Sequence, residues 1–384
     1  MNSILSLGLE GLGLIFLAFL LLLFPGFRGL FERRAADKTH SSTKTRSAVV
    51  DFIRGVSISG IVAIHLSSYY RFFGPQEPFS DWALAVSNLS RFSVPAFLIS
   101  SGIYLSYSSF SSYTKPKITG LILPYTMVFL IAAGLKYGLP PDSKTWLTSY
   151  AQGAIFAPYY FVPLMVQAYV LYPFLRSASN RIPWLALLLE TLFLNVVSNH
   201  IFEYFDLGIK GWEPILLTHF LFFFTVGVLS SEKFKHPEEF EALLLPKTTD
   251  ASGFWKFLTF SLTIYSLTVL VLTFRFSMEV SNHLIFYPLG MFLILFYWGR
   301  KIETAAPPPL PYRIFCALGR GSLGIFLLHP VLIHFFHAHN PFEPGWAQIP
   351  FYFATWILNL AIPWVVWEAL STALRRILKK GRQP

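Results

Sequence analysis

The apolar residues of this chain come in runs long enough to cross a bilayer, and that length is the strongest limit on what it can fold into. A span needs about 20 mostly apolar residues. Such runs stand at roughly 4–25, 47–71, 89–110, 118–137, 157–175, 184–201, 214–230, 254–274, 283–298, 314–337 and 349–374. Only 13% of the 384 residues are charged, against 54% hydrophobic; a soluble domain carries about 25% charge. The expected fold class is therefore all-α, a polytopic transmembrane helix bundle of ten helices plus one extra N-terminal helix. Intrinsic disorder is excluded by the hydrophobicity, and a disulfide scaffold by Cys316 being the only cysteine.

The basic residues test the span count. Placing the segment after the first run in the cytoplasm and alternating from there puts 21 of the 30 Lys and Arg on the cytoplasmic side. Five fall opposite, at Arg71, Lys136, Lys144, Lys210 and Arg275, and four lie within runs. This is the positive-inside asymmetry of a membrane protein. It accounts for the net charge of +10 without a nucleic-acid partner, and it places the C-terminus in the cytoplasm.

The first run has no basic residues before it, and Arg28, Arg33 and Arg34 follow it, the opposite of a cleaved signal peptide. It reads as a retained anchor; a cleaved signal is the alternative. Residues 1–46 are thus expected to form an N-terminal anchor helix with a basic cytoplasmic linker, and residues 47–384 the main membrane domain. The polar stretch from about Ser230 to Gly253 reads as a cytoplasmic loop. Pro307 to Pro311 reads as a stiff polyproline-type connector. There is no internal repeat, P-loop, Gly-rich dinucleotide turn or Cys cluster.

Function is sought among the charges within runs, each of which costs roughly 2.5–3.5 kcal/mol at a span centre. The second run carries Asp51, Arg54 and His65. At about 100° per residue, Arg54 and His65 differ by roughly 20° around the helix, and Asp51 lies within roughly 60° of both. The three share a face, with His65 about 16 Å further along the axis than Arg54. One reading is an interfacial ion pair plus a buried histidine bonded to a neighbour. The other is a polar cavity, in which His65 accepts a proton from a hydroxyl and Arg54 grips a phosphate or carboxylate.

Other residues carry weaker signals. Arg91 opens the third run and either snorkels or lines a cavity mouth. Ser100, Ser101 and Gly102 give a small-residue face of the kind that packs helices closely. His329, His334, His337 and His339 do not fall on one helical face and have no acidic partner beside them, so a metal is not expected; an interfacial histidine cluster is the simpler reading. His329 lies deeper and precedes Pro330, which opens the backbone. Arg320 lies nine residues earlier, toward the cytoplasmic end of the same run.

These residues resemble the membrane-bound acyltransferase-3 family. Asp51-Phe-Ile-Arg54-Gly followed by His65 is similar to its opening helix, with an Arg-(ten residues)-His spacing. Phe92-Ser-Val-Pro95-Ala-Phe97 through Ser101-Gly102 resembles its second helix. Tyr160 to Pro173, Phe222 to Gly227, and Gly319 to His329-Pro330 resemble later ones, in order. The resemblance implies a ten-helix acyltransferase core in the cell (inner) membrane. It implies transfer of an acyl group, commonly acetyl, from cytoplasmic acyl-CoA to a hydroxyl of an envelope carbohydrate or lipid-linked glycan. No cofactor is bound permanently, acyl-CoA being a co-substrate. His65 would be the base, and Arg54 would help hold the donor.

The family's second donor-site cation is absent. Before Pro124-Tyr125 stand Lys117 and Gly120, where the family often has two Arg, so Lys117 serves alone or Arg320 compensates. Phe326 replaces a family Tyr. Asp51, Arg91, Ser101 and His329 are the expected substrate-side residues. The rival readings are a transporter of a small polar solute and a non-catalytic family member.

Overall fold

The computed structural model describes residues 2–23, 25–29, 31, 47–72, 79–106, 109–137, 142–204, 211–231, 233–235, 249–280, 285–305, 307–342 and 345–380. Among these residues the fold is helical with no strand, as expected of backbone that must satisfy its own hydrogen bonds in hydrocarbon. The helices are α1 (Asn2–Leu23), α2 (Pro25–Gly29), α3 (Ala48–Phe72), α4 (Ser80–Leu89), α5 (Ser93–Tyr104), α6 (Phe110–Lys117), α7 (Leu123–Tyr137) and α8 (Ser143–Gln152). They continue with α9 (Phe161–Arg181), α10 (Trp184–Tyr204), α11 (Leu221–Ser230), α12 (Thr249–Phe276), α13 (Phe286–Glu303), α14 (Leu310–Arg320), α15 (Ser322–Ala338) and α16 (Gln348–Lys380).

Each of the eleven apolar runs is helical over most of its described length. Among the described residues, six helices are long and apolar enough to cross a membrane singly, and eight do so if each of two bent pairs is one span. The chain is thus an all-α, polytopic helix bundle. The expected cytoplasmic loop lies mostly outside the described residues, as does the basic linker before Ser47. The proline-rich connector is shorter than expected. Pro309 has polyproline-like backbone angles (φ −62°, ψ 152°), but Leu310 and Pro311 already belong to the first turn of α14, where proline lacks no needed donor.

One expected span is not straight. The run 314–337 bends by 83° between α14 and α15. Gly321 sits at the corner, where a Cβ would press on the Trp364 ring of α16. Arg320 therefore does not share a rod with His329; it stands exposed at the end of α14, at the corner of the bend. A second bend, of 76°, separates α8 from α9.

α3 is the central element, with 83% of its most apolar stretch buried inside the bundle. Helices α4, α5, α13, α14, α15 and α16 pack on it. The apolar stretches of α12 and α16 are buried for less than a third of their length, and they turn Phe260, Val271, Ile357 and Val365 outward. A helix apolar on all sides either sits in a core or faces lipid, and the bundle uses both. α1 joins the outer layer by packing Phe16 edge-on against Phe286 of α13, 4.7 Å between ring centres.

Without a hydrophobic difference between side chain and lipid tail, close packing rests on small residues that let backbones meet. α14 meets α3 at Gly319 and Gly55. A Cβ on Gly319 would overlap the Asp51 carbonyl, and one on Gly55 would overlap the Phe315 carbonyl. α11 meets α5 in the same way through Gly227 and Gly102. By contrast, Gly134 of α7 has open space around it. Gly319→Ala is expected to destabilise the folded protein by about 1–3 kcal/mol through overpacking. Gly134→Ala should be neutral or gain up to about 1 kcal/mol from helix propensity. Thermal unfolding of both variants in one detergent compares them directly.

Candidate functional site

The polar residues of α3 point at two groups of partners, one toward each end of the helix. In the first turns of α3, Asp51 is buried and accepts a 3.4 Å hydrogen bond from the Tyr104 hydroxyl of α5. Tyr104 also donates to the Ser47 carbonyl at 2.8 Å. One turn on, Arg54 donates from Nη2 to the buried Ser322 hydroxyl at 2.9 Å. Its guanidinium lies 4.8 Å from the Phe97 ring centre and 5.9 Å from that of Tyr104. Ser322 opens α15 directly after the bend, so the corner at Gly321 delivers the hydroxyl to Arg54.

Lys117 ends α6, with its ammonium 4.8 Å from the ring centre of Tyr169 and 5.5 Å from that of Tyr113. Tyr169, on α9, is also close enough to Arg54 to feel its charge. Each cation thus lies against two aromatic rings, an arrangement in which cation–π attraction offsets part of the burial cost. The chain then winds as a π-helix from Ile118 to Ile122. Pro124 has no N–H for the Gly120 carbonyl, and Leu123 N–H reaches back five residues to the Ile118 carbonyl. Such π segments occur often at functional sites. A Cβ at Gly120 would meet nothing within 4 Å, so crowding does not explain the missing second cation.

Toward the other end of α3, His65 faces α15. Its imidazole lies 5.6 Å, centre to centre, from that of His329. His329 is fully buried and its Nδ1 is 3.0 Å from the Ile325 carbonyl. His65 is only half-buried, because it borders a cavity of about 780 Å³. Tyr69, Lys136, Phe156, His334, His337 and Gln348 are among the other lining residues. The Tyr69 and His337 rings stack at 4.3 Å, and the Tyr69 hydroxyl meets His334 Nδ1 at 3.2 Å. Gln348 ties the rim together, accepting from Asn340 at 2.9 Å and donating to the Phe342 carbonyl at 2.9 Å.

Arg91 neither reaches freely for an interface nor projects alone into the cavity. It lies in the turn between α4 and α5 and forms an ion pair with Glu279, which also binds Arg71 at 3.1 Å. Its charge still acts on His65 and Tyr160. Ser101 donates to the Phe97 carbonyl of its own helix at 2.8 Å. It lies beside the Gly102–Gly227 contact, so here its small size is what the packing uses.

The histidine run divides. His334 and His337 line the cavity, whereas His339 hydrogen-bonds the Phe335 carbonyl at 2.8 Å and does not line it. Among the described residues, no three His, Cys, Asp or Glu side chains converge as metal ligands. Sequence reasoning missed the contribution of Ser322, Tyr69, Lys136 and Gln348. Ser322, Lys136 and Gln348 come from elements distant in sequence, with only the Gly-Ser pair at 321–322 as a local hint, whereas Tyr69 stands one turn after His65 on α3 and was within reach of the same helical-face argument.

A bundle with this many long apolar helices fits a multi-pass membrane protein, with ionisable groups at both ends of one buried helix. The model of the acyltransferase-3 family, described as an acyltransferase domain, matches residues 48–368. That is most of the chain, and the protein belongs to this family, which points to acyltransferase activity. No curated protein and no solved structure matches it.

The two ends of the site are open to a labelling experiment. In a Cys316→Ala background, Asn340→Cys and Arg320→Cys should react with a membrane-impermeant maleimide from opposite faces of sealed vesicles. Labelling of both from one face would show that the two ends do not open to opposite sides.

Proposed function

We propose that the chain is an integral membrane acyltransferase that moves an acyl group, acetyl in the simplest case, from cytoplasmic acyl-CoA to a hydroxyl of an envelope or lipid-linked carbohydrate. The observation that carries this reading is the polarity of α3. His65 borders an open cavity at one end, and Arg54 lies about 16 Å away among cations and aromatic rings at the other. The excess of Lys and Arg assigns the Arg54 end to the cytoplasm, with the C-terminus on the same side of the inner membrane.

Each residue then has a role. Arg54, held by Ser322, anchors an anionic part of the donor with a planar, multi-donor grip. Lys117 adds a second cation beside Tyr169, and Arg320 a third at the exposed corner of α14. Asp51 and Ser101 shape the same end through Tyr104 and the α5–α11 contact. The cavity takes the acceptor. Its stacked Tyr69 and His337 offer flat faces to a sugar ring, and Asn340, Gln348 and His334 offer hydrogen-bond partners. Arg91 adds positive charge felt by His65, and His329 lies buried beside the His65 ring, behind the cavity wall.

The reaction balances without a covalent enzyme intermediate. His65 accepts the proton of the acceptor hydroxyl as its oxygen attacks the thioester carbonyl carbon. The new C–O bond forms and the C–S bond breaks, with the electron pair leaving on sulfur. The CoA thiolate takes up a proton as His65 gives up the one it accepted, directly or through water, so the products are the ester, free CoA and neutral His65.

Membranes carrying the chain should transfer labelled acetyl from acetyl-CoA to glycan. His65→Ala is expected to lower turnover by about 10²–10⁴-fold, the range for loss of a general base, and to leave binding of a CoA analogue intact. Arg54→Ala should instead raise the KM for the donor. Full activity in His65→Ala would remove that residue from the chemistry. Wild-type protein that binds no CoA analogue but moves a solute would overturn the reading in favour of transport, and binding without turnover would mark a non-catalytic family member.

A further inference from the structure

The His65 imidazole must keep one nitrogen free of its proton and aimed at the cavity if it is to act as the base proposed above. In neutral imidazole one nitrogen donates and the other accepts. Which is which is set by the partner of the nitrogen that does not face the substrate. Among the described residues, none that lines the cavity is a carboxylate. The orienting group must therefore be sought deeper, on the buried side of the ring.

His329 stands there. It is fully buried, and its ring is 5.6 Å, centre to centre, from that of His65. Its Nδ1 is 3.0 Å from the Ile325 carbonyl. A carbonyl oxygen only accepts, so Nδ1 carries the proton, and the neutral ring presents a lone pair at Nε2. That Nε2 is buried and makes no hydrogen bond to any described residue. A buried polar atom left without a partner costs roughly 1–3 kcal/mol, so its persistence calls for a purpose.

The backbone around it is arranged to hold this state. Pro330 lacks the N–H that would pair with the Phe326 carbonyl, and the Tyr159 hydroxyl donates to the Leu327 carbonyl at 2.9 Å. Phe326 covers the other side of the His329 ring, 5.8 Å away between centres. The ring is thus fixed by its tether, its helix and its neighbour.

We propose that His329 is a positioning residue for His65. Its tethered Nδ1–H leaves Nε2 as an acceptor for the inward N–H of His65, directly or through one water molecule. This holds the other His65 nitrogen as the free base facing the cavity. His329 does not touch the substrate in this role. The inference deepens the acyltransferase reading and rests on it for its catalytic consequence, but its structural content stands apart from the reaction.

The test compares three variants of the full-length protein. His329→Gln can still present an amide oxygen as acceptor at the Nε2 position. His329→Asn keeps a donor for the Ile325 carbonyl but removes that acceptor. His329→Ala removes both. Alanine and asparagine should lower kcat by about tenfold or more, as expected when a base loses its orienting partner, with the donor KM unchanged. Glutamine should restore most of it. If the alanine variant fails to fold, the asparagine–glutamine pair decides alone.

A second readout does not depend on activity. In ¹⁵N-histidine spectra of the protein in lipid nanodiscs, His65 should show one tautomer in wild type and His329→Gln, and a mixture in His329→Asn. Equal kcat and an unchanged His65 tautomer in His329→Asn would overturn the proposal. So would a glutamine variant no better than asparagine in both readouts. Wild-type protein with a single His65 tautomer and no acyl transfer would leave the positioning role standing and remove the acyltransferase reading instead.

Discussion

The arrangement depends on the contact between α14 and the first turns of α3. Two glycines, Gly319 and Gly55, face each other's helices and let carbonyls approach where any Cβ would collide. That contact fixes where the chain turns at Gly321, and the turn sets two further contacts. It hands the Ser322 hydroxyl to Arg54 and sends α15 along α3, so that His329 comes beside His65. Arg54 and His65 therefore owe these neighbours to an apolar, steric event several residues away. In a bilayer this is a reasonable foundation, because van der Waals packing remains available when the hydrophobic effect between helices does not.

Much of the architecture was legible in the sequence, because hydrocarbon enforces a length and a composition that a linear reading can count. The eleven apolar runs became helices, and the Arg54–His65 spacing placed two groups toward the same neighbour, α15. Periodicity could not show the bend. A run from 314 to 337 has one continuous apolar content, yet it folds into two helices 83° apart, because the corner sits between tertiary contacts, of Gly319 with α3 and of Gly321 with Trp364, rather than following local propensity. Arg320 was consequently expected on the same rod as His329 and lies instead at the exposed corner. The histidines after Pro330 read as an interfacial group, since their spacing shares no single face; the structure separates His334 and His337 from His339 because only the first two meet Tyr69.

The charged residues outside α3 show a similar division between what one chain segment says and what folding adds. Arg91 by itself suggests a mobile cation near a cavity. In the fold, Glu279 bridges it to Arg71, and nearby Asn88 bonds the Thr273 hydroxyl and the backbone at Met278 and Val280. The turn between α4 and α5 is thereby fastened to the end of α12. Such a strap ties α12 to the α4–α5 pair that packs on α3.

The π-helical turn at Ile118–Ile122 has an evolutionary consequence. Its shape comes from Pro124, not from the residue at position 120, and the space around Gly120 is empty. A long cationic side chain could be gained or lost there without refolding its surroundings. The charge near Lys117 can therefore change by one unit through one residue while the helix framework stays as it is. In a lineage of such proteins, the charge at this end can change faster than the fold, with position 120 as the place where the difference is written.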